Sequence, residues 1–306
     1  MTRFDAVGFG ALNVDKLFKV DRIASAEEES SVMDYSENCG GSAANTVVGL
    51  SRLGCKVGFI GKVASDVDGK MLCQNFKYEK VDMEGIVKVD EGRSGKVIGF
   101  VDNEGQRALY VDPGVNDDVE PKDVNLNYLS GAKFLHLSSF VGEQSFQTQK
   151  WLVERKLGNI KLSFDPGALY ARRGIKGLGS IIERTTVILP NVRELSLMTD
   201  KSDYRTGATQ LVKEGAEIVA VKLGSKGSYV TDGKETRLVA PFKVKTVDTT
   251  GAGDAFDAGF LYGLLNKMAL DDCARIGNYV ASKCITAMGA RTGLPTLEEL
   301  KASVNL

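Results

Sequence analysis

Short apolar runs of period two alternate along this chain with longer stretches of helical period. Phe4–Phe9 reads as a strand. Residues 43–53 have helical spacing and stop at Gly54, a residue suited to the left-handed position after a helix. Residues 57–60 return to strand and 69–80 to helix. Strands follow at 134–137, 162–165, 187–189 and 218–223 with helical stretches between them, and the end is helical over 252–266 and 271–288. This alternation predicts an α/β fold, a mostly parallel central sheet sandwiched by helices. Two regions break the rhythm. Residues 16–20 with 31–35, and 96–101 with 107–111, read as hairpin strands with no helix between them. The second pair is joined by Asp102-Asn103-Glu104-Gly105, a good turn sequence. We expect a small antiparallel sheet, a lid formed by about 14–38 and 93–114, on a single domain spanning 1–306.

Composition narrows the chemistry. The 306 residues are 43% hydrophobic and 26% charged, with a formal net charge of -1 and both signs scattered. That is the balance of a soluble globular chain, with no basic stripe for nucleic acid and no polybasic patch for a membrane. No apolar run reaches the roughly 18 residues of a spanning helix, and Met-Thr-Arg-Phe-Asp enters a strand without a signal-peptide layout. The five cysteines, Cys39, Cys55, Cys73, Cys273 and Cys284, are dispersed and form no C-x-x-C pair. A reducing compartment, the cytosol, is expected. The single histidine, His136, lies between two leucines in a strand pattern. A His cluster for metal is therefore impossible within one chain, and any His-dependent triad would have to use this residue. Catalysis is expected to run on carboxylates, backbone amides and a metal held by oxygen.

Five segments carry candidate chemistry. Asp248-Thr-Thr-Gly251-Ala252-Gly253-Asp254 precedes helical sequence, and its small residues let a ligand approach the backbone where unpaired N–H groups favour an anion. Asp254 either supports the helix dipole or stands beside bound phosphate as a base for an attacking hydroxyl. Cys39-Gly40-Gly41-Ser42-Ala-Ala-Asn45 is either a loop whose Ser42 caps the next helix, or a close-approach site with Asn45 offering a donor and an acceptor to a polyol. Asn13 and Asp15 follow the first strand, at the end where open α/β sheets bind ligands, and suit two neighbouring sugar hydroxyls; they also suit a turn. Asn191 and Glu194 share a face of a first helical turn, either as a reciprocal cap or as water-mediated ligands of Mg²⁺. The turn Lys222-Leu-Gly224-Ser225-Lys-Gly227 adds nucleotide contacts. No G-x-x-x-x-G-K-[ST] exists, which removes the P-loop class. Gly8-Phe-Gly-Ala-Leu-Asn13 fails the dinucleotide fingerprint at its third glycine, so a dinucleotide oxidoreductase has little support.

In this order the segments resemble the ribokinase-like (PfkB) family of carbohydrate and nucleoside kinases. Residues 40–69 are similar to its N-terminal signature and Asp248-Thr-Thr-Gly-Ala-Gly-Asp254-Ala-Phe to its C-terminal one; 94–116 fall between them in family order. The resemblance implies ATP-dependent phosphorylation of a sugar or nucleoside hydroxyl. Asp254 would be the base, the amides of Gly251, Ala252, Gly253 and Asp254 the anion hole. Asn13, Asp15, Gly40, Gly41 and Asn45 match acceptor positions. Asn191, Lys222, Gly224, Ser225, Gly227 and Asn278 match the ATP site, Asn191 and Glu194 the Mg²⁺-linked pair, and Asp248, Thr250 and Gly289 a loop holding a monovalent cation, K⁺, in many members. A homodimer through the lid is implied as well. Ser42 stands where ribokinases carry Lys, and Ser138-Ser139-Phe140 lacks the acid that grips ribose. Leu162-Ser-Phe-Asp165-Pro-Gly167 is similar instead to archaeal-type sugar and nucleoside kinases. A sugar-phosphate kinase and a non-catalytic nucleotide- or sugar-binding regulator are the alternatives.

Overall fold

The computed structural model describes residues 3–155 and 157–304. Thirteen strands are present among them: β1 Phe4–Phe9, β2 Asn13–Val20, β3 Val32–Gly40, β4 Val57–Ala64, β5 Ile86–Val89, β6 Gly95–Val101, β7 Arg107–Asp112, β8 Ala132–Ser138, β9 Lys161–Asp165, β10 Val187–Ile188, β11 Ile218–Lys222, β12 Ser228–Thr231 and β13 Thr236–Val239. The helices are α1 Ser42–Arg52, α2 Val67–Tyr78, α3 Leu126–Leu129, α4 Glu143–Val153, α5 Gly167–Ala171, α6 Gly174–Ile182, α7 Val192–Thr199, α8 Tyr204–Lys213, α9 Ala252–Leu265, α10 Leu270–Cys284 and α11 Leu297–Ser303.

Nine strands form one sheet in the order β13-β12-β11-β10-β9-β8-β1-β4-β5. It is parallel from β5 to β11 and antiparallel only at the β11-β12-β13 edge. Both faces are covered, and the central strands are apolar on both. Ala6 packs into one core cluster with α1, α9 and α10; Val7 and Phe9 enter a second with α4, α6 and α8. Each such side chain taken out of water stabilises the fold by roughly 1.5–3 kcal/mol. The predicted ribokinase-like α/β architecture is therefore observed.

The remaining four strands form a small sheet of order β3-β2-β6-β7. Its outer pairs are antiparallel as predicted, but β2 and β6 run parallel, with Asn13 opposite Gly95 and Phe18 opposite Phe100. The sheet is mixed, not antiparallel throughout. β2 follows β1 and β6 follows β5, which point the same way in the large sheet, so both hairpins are entered in one direction.

Three local expectations are corrected. The helix expected at 271–288 ends at Cys284, where the Ile285 carbonyl turns to accept the amides of Val247 (2.8 Å) and Asp248 (3.3 Å). Ser42 is not the cap of α1. Gly41 holds that position at φ 100°, without a side-chain cap, and a Cβ there would overlap the Ala11 carbonyl oxygen. The strands β5, β12 and β13 and the helix α11 were not expected at all.

Candidate active site

The site lies at the carboxyl ends of the parallel strands. Ser138, Asp165, Asn191 and Lys222 end or directly follow β8, β9, β10 and β11. Behind them His136 is buried, with Nδ1 2.9 Å from Ser163 Oγ, and burial lowers its pKa to about 4, so it is a neutral structural residue.

Asp254 occupies the first turn of α9, whose N-cap is Gly251 at φ 75°. The amides of Gly251, Gly253 and Asp254 have no acceptor among the described residues. That of Ala252 turns to the Thr249 carbonyl at 3.3 Å, so three of the four amides expected to form an anion hole are without an acceptor. Two side chains of α1 grip the carboxylate: Ser42 Oγ donates to Oδ1 at 2.6 Å and Asn45 Nδ2 to Oδ2 at 2.7 Å. Burial pushes Asp254 up to about 6 and the nearby Asp165 charge adds to this; the bonds from Ser42 and Asn45 and the charge of Lys222 oppose it.

Lys222, expected as a nucleotide contact, lines the cavity at this site and is also paired within the chain. Its Nζ lies 3.0 Å from Asp165 Oδ2 and 3.2 Å from Asp257 Oδ1. Burial works against its charge, but Asp165, Asp257 and Glu194 outweigh burial and keep the ammonium above its usual range. Burial also drives Asp257 above the carboxylate range; burial pushes Asp165 the same way, but Lys222, Asp257 and the Gly167 amide outweigh it and bring Asp165 below that range. Beside this cluster a cavity of about 680 Å³ is lined by Ser42, Asn191, Glu194, Gly224, Ser225, Gly227, Asn278 and Asp254, with Phe242, Val244 and Ile285 at its apolar part. Asn278 also donates from Nδ2 to the carbonyls of Val239 and Ala240.

Asn191 and Glu194 form the reciprocal cap of α7: the Asn191 amide donates to Glu194 Oε2 (2.8 Å) and the Glu194 amide to Asn191 Oδ1 (2.9 Å). The two roles weighed for them are compatible, since Glu194 Oε1 and Asn191 Nδ2 have no partner among the described residues and both residues line the cavity. Burial, with Asp165 adding, raises Glu194 to about 7. Among the described residues no group of three or more His, Cys, Asp or Glu is placed to hold a metal directly. A divalent ion that keeps its waters fits this donor set.

Asp248, Thr250 and Gly289, the residues expected to hold a monovalent cation, are brought together. Asp248 Oδ1 accepts from Thr250 N (3.0 Å), Thr250 Oγ1 (2.8 Å) and Arg107 Nη2 (3.3 Å), and Oδ2 accepts from Gly289 N (2.9 Å). Four of the chain's own donors thus reach the Asp248 carboxylate, one of them the half-exposed Arg107 of β7, and Oδ2 accepts only one of the four.

On the other side of Asp254 lie the predicted acceptor residues. Asp15 packs on the Gly40 backbone and is raised to about 6 by burial, with Arg291 opposing and Asp254 adding. Asn13 Oδ1 is held by buried Asn116 at 3.0 Å. Under the small sheet, Asp15, Lys19, Arg107 and Leu109 line a second cavity of about 540 Å³. Sequence reasoning missed Asp257 and Arg291 and misassigned Ser42. A polar residue on an otherwise apolar helix was the available signal for Asp257. Arg291 carried none.

The site thus joins a carboxylate at an open helix N-terminus to a cavity of about 680 Å³, and likeness to known proteins places the chain among kinases. The model of the pfkB family of carbohydrate kinases matches residues 4–297. A sugar kinase of Archaeoglobus fulgidus is 45% identical over 81% of this chain and 98% of its own. The ATP-dependent ribose-1-phosphate kinase of Halopiger xanaduensis is 31% identical over 96% and 95%. The ribokinase of Thermotoga maritima superimposes with a TM-score of 0.87 at 26% identity, covering 98% of both chains. The chain belongs to the PfkB family of carbohydrate kinases.

Proposed function

We propose that this protein transfers the γ-phosphoryl group of ATP to a hydroxyl of a sugar or nucleoside, with Asp254 as general base. The observation that carries this reading is the Asp254 carboxylate, raised toward neutrality and gripped by Ser42 and Asn45, beside three amides without acceptors. The cavity from Asn191 to Asn278 takes the nucleotide, its base against Phe242, Val244 and Ile285. Asn13, Asp15, Gly40, Gly41 and Asn45 orient the acceptor, and Asp254 receives the attacking hydroxyl's proton as the O–P bond forms and ADP leaves. The amides of Gly251, Gly253 and Asp254 stabilise negative charge on the transferring group. Bound Mg²⁺ would neutralise phosphate charge, held through water by Asn191 and Glu194. The free thiols of all five cysteines suit the cytosol, and no helix among the described residues is long and apolar enough to cross a membrane.

Asp254→Asn tests the base. MgATP affinity should stay near wild type while kcat falls ~10²–10⁴-fold in an ADP-release assay; near-normal turnover removes Asp254 from the role. A phosphorylated sugar is the second reading, favoured by the likeness to the ribose-1-phosphate kinase of Halopiger and by Lys19 and Arg107 on the cavity under the small sheet. An acceptor panel of sugars, sugar phosphates and nucleosides separates the two. Tight ATP binding with no turnover across that panel would instead support a regulator. A homodimer through the small sheet completes the proposal.

A further inference from the structure

We infer that Arg291 is a positioning residue that fixes the Asn45 amide so that its nitrogen faces Asp254. This rests on the base role proposed above.

After α10 the chain turns back and carries the Arg291 side chain into the interior, where the residue is 7% exposed. Its three kinds of N–H each have an acceptor. Nε donates to Asn45 Oδ1 at 2.8 Å, Nη2 to the Gly40 carbonyl at 3.2 Å, and Nη1 to Asn75 Oδ1. The Phe76 ring lies against the guanidinium, 5.7 Å from its carbon to the ring centroid.

A guanidinium carries donors only, so it can pair with the oxygen of a neighbouring amide and never with its nitrogen. The Nε–H of Arg291 therefore selects Oδ1 of Asn45. Nδ2 is left for the opposite side, where it meets Asp254 Oδ2 at 2.7 Å. The reversed amide would set Nδ2 against a donor and Oδ1 against a carboxylate oxygen, leaving two buried groups unsatisfied. A relay of one direction results, from Arg291 through Asn45 to Asp254, and the charged donor at its head strengthens the N–H at its tail. It also sets what Asn45 offers an acceptor molecule. The Asn45 oxygen is turned toward Arg291, so the N–H groups are what face Asp254. A hydroxyl arriving at Asp254 would accept from the Asn45 N–H and direct its own proton to the base.

The groups that set the titration of Asp254 come from several elements: Ser42 and Asn45 on α1, Asp15 on β2, Asp165 ending β9, Glu194 on α7, Lys222 ending β11, Asp257 on α9 itself, and Arg291. A purely structural Arg291, tying α1 and α2 to the Gly40 loop, would act on folding and leave the Asp254 midpoint unmoved. One acting only through its field would move that midpoint with or without Asn45.

The test is an NMR titration of the Asp254 carboxyl carbon in ¹³C-aspartate-labelled protein, assigned with Asp254→Asn. It is run on wild type, Arg291→Met, Asn45→Ala and the double variant, with kcat and KM measured alongside. Arg291→Met and Asn45→Ala should each raise the midpoint, and the double variant should shift no further than Asn45→Ala alone. In Arg291→Met kcat at neutral pH should fall on the order of tenfold to a hundredfold with the KM for MgATP unchanged. An unmoved midpoint in Arg291→Met, or shifts that add in the double variant, overturns the inference. Arg291→Gln, smaller and neutral, serves the same comparison if Arg291→Met does not fold. The titration needs no turnover, so a wild type inactive on every acceptor would refute the kinase reading while the relay is still tested.

Discussion

Asp254 is asked to be a base while buried among other carboxylates, and its pH behaviour follows from that. With its pKa raised to about 6, the proton-accepting form is lost as pH falls through that value. kcat/KM should therefore decline below about pH 6 with a limb of unit slope in a pH–rate profile. For stability the sign is opposite to the familiar salt-bridged acid. The folded state binds the proton more tightly than the unfolded chain, whose carboxylates titrate near ~4. Stability from this group is present below about pH 4 and is lost as pH rises to about 6; Asp15 shifts the same way. Thermal denaturation of Asp254→Asn across pH 4 to 6 should show a flatter decline than wild type. Lys222 makes the complementary case. Lys222→Met would strand Asp165 beside Asp257 in the interior, and urea denaturation should show a loss of about 3–5 kcal/mol. Asp254 was legible in the sequence because three small residues and an acid at a helix start are a local arrangement. Ser42 and Arg291 were misread or missed because their partners, Asp254 and Asn45, lie 212 and 246 positions away.

At the scale of elements, helix ends rather than helix bodies carry the chemistry. α7 opens with a reciprocal cap that faces the nucleotide cavity, and α9 opens on a left-handed glycine with three free amides. A Cβ at Gly251 would overlap Ala290, so Gly251→Ala must move the loop that forms the anion site. The loop before α9 is tied to the small sheet by Arg107 of β7 on Asp248. With four of the protein's own donors already on Asp248, turnover should be the same within twofold in potassium chloride and in tetramethylammonium chloride of equal ionic strength. A large activation by potassium would instead support the cation role of the Asp248 loop. Periodicity located these helices and strands to within a few residues, yet it read Asn191 and Glu194 as two alternatives. Only the cavity shows both roles open to the same pair.

On the scale of the molecule, the large sheet presents four strand ends along one edge, and the small sheet stands beside them. The small sheet carries Phe18, Tyr35, Phe100 and Tyr110 in mutual ring contact, with Phe18 and Phe100 stacked at 5.5 Å, and Phe18 and Tyr35 also line the cavity under it. Tyr110 is 62% exposed and β3 and β7 leave open edges, a surface that a second copy would cover. Light scattering should find a dimer, and Tyr110→Lys should shift it toward monomer; a monomeric wild type at all concentrations refutes this.

The sequence by itself determined the α/β class, the strand and helix alternation, the small sheet's two hairpins and the Gly251–Asp254 segment. Each is written in neighbours along the chain, in period-two and helical spacing or in one short stretch of small residues. The tertiary structure alone decided that β2 and β6 pair in parallel, that Ser42 and Asn45 grip Asp254, that Lys222 is buried between Asp165 and Asp257, and that Arg291 bonds Asn45. Those contacts join residues far apart in sequence, and packing, not periodicity, sets which side chain finds which partner.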